Sequence, residues 1–186
     1  MSSILTSGST APAFVSENAD GGLNVIGKAE ESNFITIEEN GAADLGDDVI
    51  SGGFLGDIID AGAGDDVIFG GAGDDVLFGG DGSDIIRGGD GMDIIRGGKG
   101  SDILIGGEGM DIFDLRAEDF VEGEIDRILG FEDGEMDLLR VTGVSEEVTY
   151  DAATGDVKVG DQTVAKIGKD LDVEVTKMDD DTYELF

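Results

Sequence analysis

GGAGDDVLF at Gly70, GGDGSDIIR at Gly79, GGDGMDIIR at Gly88, GGKGSDILI at Gly97 and GGEGMDIFD at Gly106 follow one another without a gap. Upstream stand AGAGDDVIF at Ala61 and two worn copies, GGFLGDIID at Gly52 and ADLGDDVIS at Ala43. One nine-residue phrase is thus written eight times over residues 43 to 114: Gly-Gly-x-Gly-x-Asp, two aliphatics, one variable residue. A short exact period is the signature of a solenoid. A linker rich in Gly and Asp has no reason to keep Asp at every sixth position and aliphatics at every seventh and eighth.

Each position has a physical reading. Glycines at positions 1, 2 and 4 allow positive φ and close backbone approach, so the first six residues read as a tight turn. The last three, such as Val76-Leu77-Phe78, read as a very short strand. So short a strand buries too little alone. Stacking the copies gives a parallel sheet at about 4.8 Å per step. Position 8 is always large and apolar: Ile50, Ile59, Ile68, Leu77, Ile86, Ile95, Leu104 and Phe113. Strand side chains alternate, so position 8 can face inward while 7 and 9 face out. The β-branched stripe at position 7, with Phe69 and Phe78 at position 9, reads either as plain β-propensity with partial shielding by neighbours or as a contact surface. Packing of the chain's own termini is preferred over dimerisation as its cover.

Position 6 is Asp in every copy: Asp48, Asp57, Asp66, Asp75, Asp84, Asp93, Asp102 and Asp111. Stacking identical turns stacks identical carboxylates, which is costly unless a cation lies between them. Carboxylates with free glycine carbonyls form an all-oxygen set. Such a set suits Ca²⁺, with its flexible coordination by 6–8 oxygens, better than strictly octahedral Mg²⁺. The ion is then structural, and its binding energy is folding energy.

The phrase resembles the nonapeptide G-G-x-G-x-D-x-U-x of the RTX (repeats-in-toxin) family, the hemolysin-type calcium-binding repeat. The resemblance implies a parallel β-roll in which two strands complete one coil and Ca²⁺ sits between turns 18 residues apart. Carried onto this chain, the pairs are Asp48/Asp66, Asp57/Asp75, Asp66/Asp84, Asp75/Asp93, Asp84/Asp102 and Asp93/Asp111. That gives about six intervals for an ion. Carbonyls of the glycine turns would complete each shell: Gly62, Gly64, Gly71, Gly73, Gly80, Gly82, Gly89, Gly91, Gly98 and Gly100. Leu55 at a position 4 and Asp44 at a position 2 depart from the pattern and weaken the sites that use their turns.

Composition narrows the function. Lys and Arg number 11 against 44 Asp and Glu, a net charge of −33. Self-repulsion of that size opposes compaction, so the calcium-free chain is expected to be expanded. Nucleic acid and anionic membranes are poor partners for such a chain. With no Cys there is no disulfide or thiolate site, and with no His the usual triads and zinc motifs are absent. The acids are accounted for by repeats and surface, so an enzyme is not expected.

The flanks complete the layout. Residues 1–42 read as an N-terminal arm and cap, with strands at Leu23–Ile26 and Phe34–Ile37 and a loose first dozen residues. They hold no basic-then-apolar export leader, and no run is apolar enough to span a membrane. Residues 115–186 read as a C-terminal antiparallel β cap, with a loop at 151–155 and a hairpin turn at Gly160-Asp161. Asp126, Ile128, Phe131, Gly134, Asp137 and Leu139 resemble the segment that follows the repeats in many RTX proteins. There it caps the roll, and here Asp126, Asp133 and Asp137 are further metal-ligand candidates. The closing Glu184-Leu185-Phe186 resembles the uncleaved signal of type I ABC exporters.

The expectation is an all-β protein: a parallel β-roll between two caps, calcium-binding, exported, and folded by Ca²⁺ outside the bacterial cell. It would act as a structural or adhesive module, with self-association or cell-surface polysaccharide as partners. The alternative is an accessory targeting, folding or carbohydrate-binding module of a larger secreted enzyme.

Overall fold

The structure, a computed structural model, describes residues 2–6, 14–17, 23–27, 34–39, 42–43, 46–131, 136–169, 171 and 173–186. Five strands precede the regular repeats: β1 (Ser2–Thr6), β2 (Phe14–Glu17), β3 (Leu23–Ile26), β4 (Phe34–Glu39) and β5 (Ala42–Ala43). The repeats supply β6 (Val49–Gly53), β7 (Ile58–Ala63), β8 (Val67–Ala72), β9 (Val76–Asp81), β10 (Ile85–Asp90), β11 (Ile94–Lys99), β12 (Ile103–Glu108) and β13 (Ile112–Arg116). The C-terminal region adds β14 (Asp126–Leu129), β15 (Leu138–Thr142), β16 (Val148–Asp151), β17 (Asp156–Val159), β18 (Gln162–Lys166), β19 (Val175–Lys177) and β20 (Thr182–Leu185).

Successive strands alternate between two sheets. One runs β1-β4-β7-β9-β11-β13-β15-β20-β19, with β5 on β4. The other runs β16-β17-β18-β14-β12-β10-β8-β6-β3-β2. Between β3/β4 and β14/β15 every pairing is parallel, and within the repeats each residue meets its 18-residue neighbour: Ile86 faces Ile68 and Leu104, and Ile95 faces Leu77 and Phe113. This is the β-roll.

The strands are longer than the three-residue reading. β8 covers positions 7, 8 and 9 of one copy and 1, 2 and 3 of the next, so the Gly-Gly pair belongs to the strand. The turn shrinks to positions 4 to 6. Its rims are stitched between coils, by Gly82 N–H to Lys99 C=O (2.9 Å) and Ile85 N–H to Asp66 C=O (2.8 Å).

Position 8 faces inward: the whole column from Ile50 to Phe113 has no exposed surface. Position 7 faces outward, with Ile85 41% and Ile94 38% exposed. The glycine at position 1 also faces inward, two residues along the strand from position 8. The core is therefore a single file of aliphatic side chains in each sheet, backed by glycine.

The ends are closed by burying the exposed coil and turning the chain antiparallel. Phe131 covers Phe113, with ring centroids 6.3 Å apart. Ile128 and Leu139 continue the inward columns. β20 adds antiparallel to β15, and β16–β18 form a meander whose β17–β18 turn is Gly160-Asp161 (Gly160 φ 58°). At the other end, Ser2–Thr6, expected to be loose, pairs antiparallel with β4, and β2 pairs with β3. Both termini thus extend sheet edges and leave the outward stripes open, against the expected own-chain cover. The exception is the 3₁₀ turn Ala117–Asp119, held over Arg96 by its ion pair with Asp119 (2.8 Å).

Candidate metal centre

The repeated turn places Asp at position 6 where the chain leaves the turn and enters the strand. All eight aspartates, Asp48 through Asp111, are at most 1% exposed. Each meets its neighbour one coil away. The N–H groups of Asp48, Asp57, Asp66, Asp75, Asp84 and Asp93 donate to Oδ1 of Asp66, Asp75, Asp84, Asp93, Asp102 and Asp111, at 2.7–2.9 Å. These are the six pairs that the family resemblance implied, brought together as two ladders, one along each edge of the roll.

The ladders do not stop with the repeats. Asp102 N–H donates to Asp126 Oδ1 (3.0 Å) and Asp111 N–H to Asp137 Oδ1 (2.9 Å). The intervals are 24 and 26 residues because the loops after β13 and β14 are longer. At the opposite end, Leu23 N–H donates to Asp48 Oδ1. Asp126 and Asp137 are thus rungs, whereas Asp133 and Asp44 lie outside the described residues.

One carboxylate oxygen of each rung is used by the ladder. The other oxygens of Asp75, Asp84, Asp93 and Asp102 are buried and accept no hydrogen bond from any described residue. An orphaned buried carboxylate oxygen is a costly group that calls for a cation or a proton. The surroundings of these atoms are oxygen-rich. A Cβ placed on Gly79 would lie 2.1 Å from Asp84 Oδ2 and 2.6 Å from the Gly97 carbonyl oxygen. On Gly88 it would lie 2.1 Å from Asp93 Oδ2 and 2.8 Å from the Gly106 carbonyl oxygen. The absence of a side chain at position 1 leaves a cradle lined by hard oxygens.

Positions 2 and 4 contribute through their backbone. Gly80 and Gly82 have φ of 123° and 144°, and a Cβ on them would lie 1.8 and 1.9 Å from the carbonyl oxygens of Gly62 and Gly64 in the coil before. The proposed carbonyl donors are therefore stacked coil upon coil at both edges. Among the described residues, no three acidic side chains converge on one point. An ion here would be held by one or two carboxylates with backbone carbonyls, a set that fits Ca²⁺.

Two contributors escaped the sequence reading. The position-1 glycines (Gly52, Gly70, Gly79, Gly88, Gly97, Gly106) form the cradle, although none needs a positive φ. The signal was available: a glycine at an inward strand position, where an aliphatic residue would add core. Position 5 carries a second, exposed ladder, in which Ser83 N–H donates to Asp65 Oδ1 (2.8 Å) and Met92 N–H to Asp74 Oδ1 (2.9 Å).

Position 1 is Ala in two copies, Ala43 and Ala61, and Ala61 is fully buried. Its methyl occupies the place that the six glycine copies keep open. We expect Ala61→Gly to tighten calcium binding at that coil, read as a calcium-folding midpoint moved to lower concentration.

Burial, with neighbouring carboxylates, pushes Asp75 up to about 7, Asp84 and Asp126 to about 8, and Asp93 and Asp102 to about 6, from an ordinary 3.8. The N–H donated from the preceding coil, by Asp57 to Asp75 and by Asp66 to Asp84, offsets this in part. The folded pKa lies above the unfolded one, so protonation stabilises the metal-free roll. That stability is complete below about pH 4 and is lost as pH rises through 6 to 8. In calcium-free buffer, far-UV circular dichroism should gain β signal on acidification from pH 8 to 4. With calcium, the midpoint should rise as pH falls, because protons compete for the same oxygens.

The chain matches the protein family described as RTX calcium-binding nonapeptide repeat (4 copies), at residues 51–86 and 87–119. Comparison with curated proteins and with solved structures gave no match. The parallel roll, the two ladders of buried aspartates and this match agree: residues 51–119 are RTX calcium-binding nonapeptide repeats, which indicate calcium binding by the β-roll.

Proposed function

We propose that this chain is a secreted RTX protein that folds when several Ca²⁺ ions bind outside the cell, and that its folded form is a structural or adhesive module at the cell surface. The observation that carries this reading is the row of buried, orphaned Oδ2 atoms of Asp75, Asp84, Asp93 and Asp102. In the metal-free roll at neutral pH each of them must either carry uncompensated buried charge, as Asp93 and Asp102 do, or take up a proton, as Asp84 does. Inside a low-calcium cytoplasm that charge, with the net −33, keeps the chain open and exportable. Outside, near-millimolar calcium fills sites of the affinity typical of extracellular modules. Bound Ca²⁺ supplies positive charge between the coils. The residues we assign to it are the position-6 aspartates, the glycine carbonyls of the turns, and Asp126 and Asp137. The ladders give about eight intervals between acid rungs, two more than the repeats alone. Among the described residues no helix is long and apolar enough to cross a membrane.

The test is a calcium titration followed by far-UV circular dichroism, with magnesium as control. A steep gain of β signal in calcium alone is expected. Asp84→Ala should raise the midpoint more than Asp48→Ala, because Asp84 has carboxylates on both sides (Asp66, Asp102) and Asp48 only on one. A folded spectrum in chelator at neutral pH, or equal midpoints for the two variants, would count against calcium-coupled folding.

A further inference from the structure

The two outer faces of the roll differ in charge. On the sheet β3-β6-β8-β10-β12-β14 the outward positions are 24 and 26, 49 and 51, 67 and 69, 85 and 87, 103 and 105, and 127 and 129. None of them is Asp or Glu, in a chain with 44 acids. Apolar side chains predominate, with Phe69 43%, Ile85 41% and Leu129 40% exposed. At these positions the two charged residues are Arg87 and Arg127, both exposed and with side chains that make no hydrogen bond or ion pair among the described residues; an acid, Asp90 at the end of β10, borders the same surface pocket as Phe69 and Arg87.

The opposite face is different. It carries Asp60 and Asp114, and its arginines are neutralised within the chain: Arg96 by Asp119 (2.8 Å) and Glu118 (2.9 Å), Arg116 by Asp114 (2.8 Å), Arg140 by Glu184 (3.0 Å). Of the two faces, among the described residues, the one whose outward rows lack acid is thus the one that attracts an acidic partner.

Parallel sheets are ordinarily covered on both faces, and helices are their usual cover. Arg87 and Arg127 stand two strands apart and two residues offset, about 12 Å. Residues seven or eight apart on a helix are separated by about 10.5–12 Å. We propose that this face docks an amphipathic α-helix of a partner, aliphatic toward the sheet and bearing two carboxylates placed to meet Arg87 and Arg127. A second copy of the chain offers this face no carboxylate from its own equivalent face. An anionic bilayer would meet the surrounding acids of the roll as well as the arginines. Charge complementarity therefore selects the acidic helix.

Docking requires the folded roll and so rests on the calcium reading, but the two are measured separately. The probe is a fluorescent helical peptide of about 18 residues with leucines along one side and two glutamates seven positions apart. Its twin has lysines in place of the glutamates. Anisotropy with the full chain in saturating calcium should show the glutamate peptide binding at least about tenfold tighter than the twin. The double variant Arg87→Glu, Arg127→Glu should reverse the preference while keeping the wild-type dichroism spectrum in calcium. Absence of binding by either peptide, equal binding of both, or an unchanged preference in the double variant would overturn the proposal. So would a dimer of the chain alone that Phe69→Asp dissolves, or flotation with phosphatidylglycerol vesicles. Selective peptide binding by a chain that is folded in chelator would support docking and sink only the calcium reading.

Discussion

Ile86→Asp is expected to leave the chain without a roll at any calcium concentration. Ile86 has no exposed surface and packs in register between Ile68 and Leu104. The core is one side chain wide, so no second layer can take up the loss. Removing a buried aliphatic side chain costs about 2–5 kcal/mol. An unpaired carboxylate in its place adds several more, or takes up a proton. Together these approach the whole stability of a typical domain, about 5–15 kcal/mol. Ile86→Ala carries only the first cost and should still fold, with its calcium midpoint raised. The measurement is the calcium titration by circular dichroism for both variants. A normal transition in Ile86→Asp would mean that position 8 does not face the core.

The second large effect is expected from Gly80→Val. Gly80 sits at φ 123°, and a Cβ there would lie 1.8 Å from the Gly62 carbonyl oxygen of the preceding coil. Backbone strain at such a φ is of the order of 1–3 kcal/mol. The contact is worse, because the obstructing atom is backbone and can move only if the coils part. Parting them breaks the β7–β9 ladder at Gly62/Gly80 and separates the stacked aspartates nearby. Loss of the cooperative calcium transition is the expected result. Ser83→Ala, two residues into the exposed turn, should fall within about 0.5 kcal/mol of wild type. Comparable transitions in Gly80→Val and wild type would show that the coils are not stacked this closely.

Both effects trace to the period, and so did most of what could be read from the chain. Asp at every sixth position implied carboxylates stacked coil on coil, and the six pairs are the ones hydrogen-bonded through Oδ1. The aliphatic at every eighth implied the inward column. Strand length was misread, because Gly-Gly suggests a turn on propensity alone. In the roll the pair is taken into the parallel ladder, where each position-2 glycine is in register with those of the coils on either side (Gly71, Gly89, Gly107), and this overrides that weak local preference. The cradle at position 1 was missed for the same reason: its meaning depends on Asp84 Oδ2 reaching back to Gly79 in folded space. The outward stripes were read correctly as outward, yet their cover was misassigned. The termini pair with open strand edges, whose N–H and C=O groups need partners more than the exposed aliphatics need burial.

What this sequence determined by itself is the repeating element: its period, its inward residue, its acid and its preference for a hard divalent cation. Each of these follows from side-chain chemistry repeated at fixed spacing. Tertiary structure alone decided what the repeats become together. It set which oxygen of each aspartate is spent on the ladder and which is left over. It extended the ladders to Asp126 and Asp137 across loops of unequal length. It also sorted odd and even repeats onto opposite faces, leaving the outward rows at positions 7 and 9 of one of them without acid. These are relations between residues 18 to 26 positions apart, created by the winding of the chain.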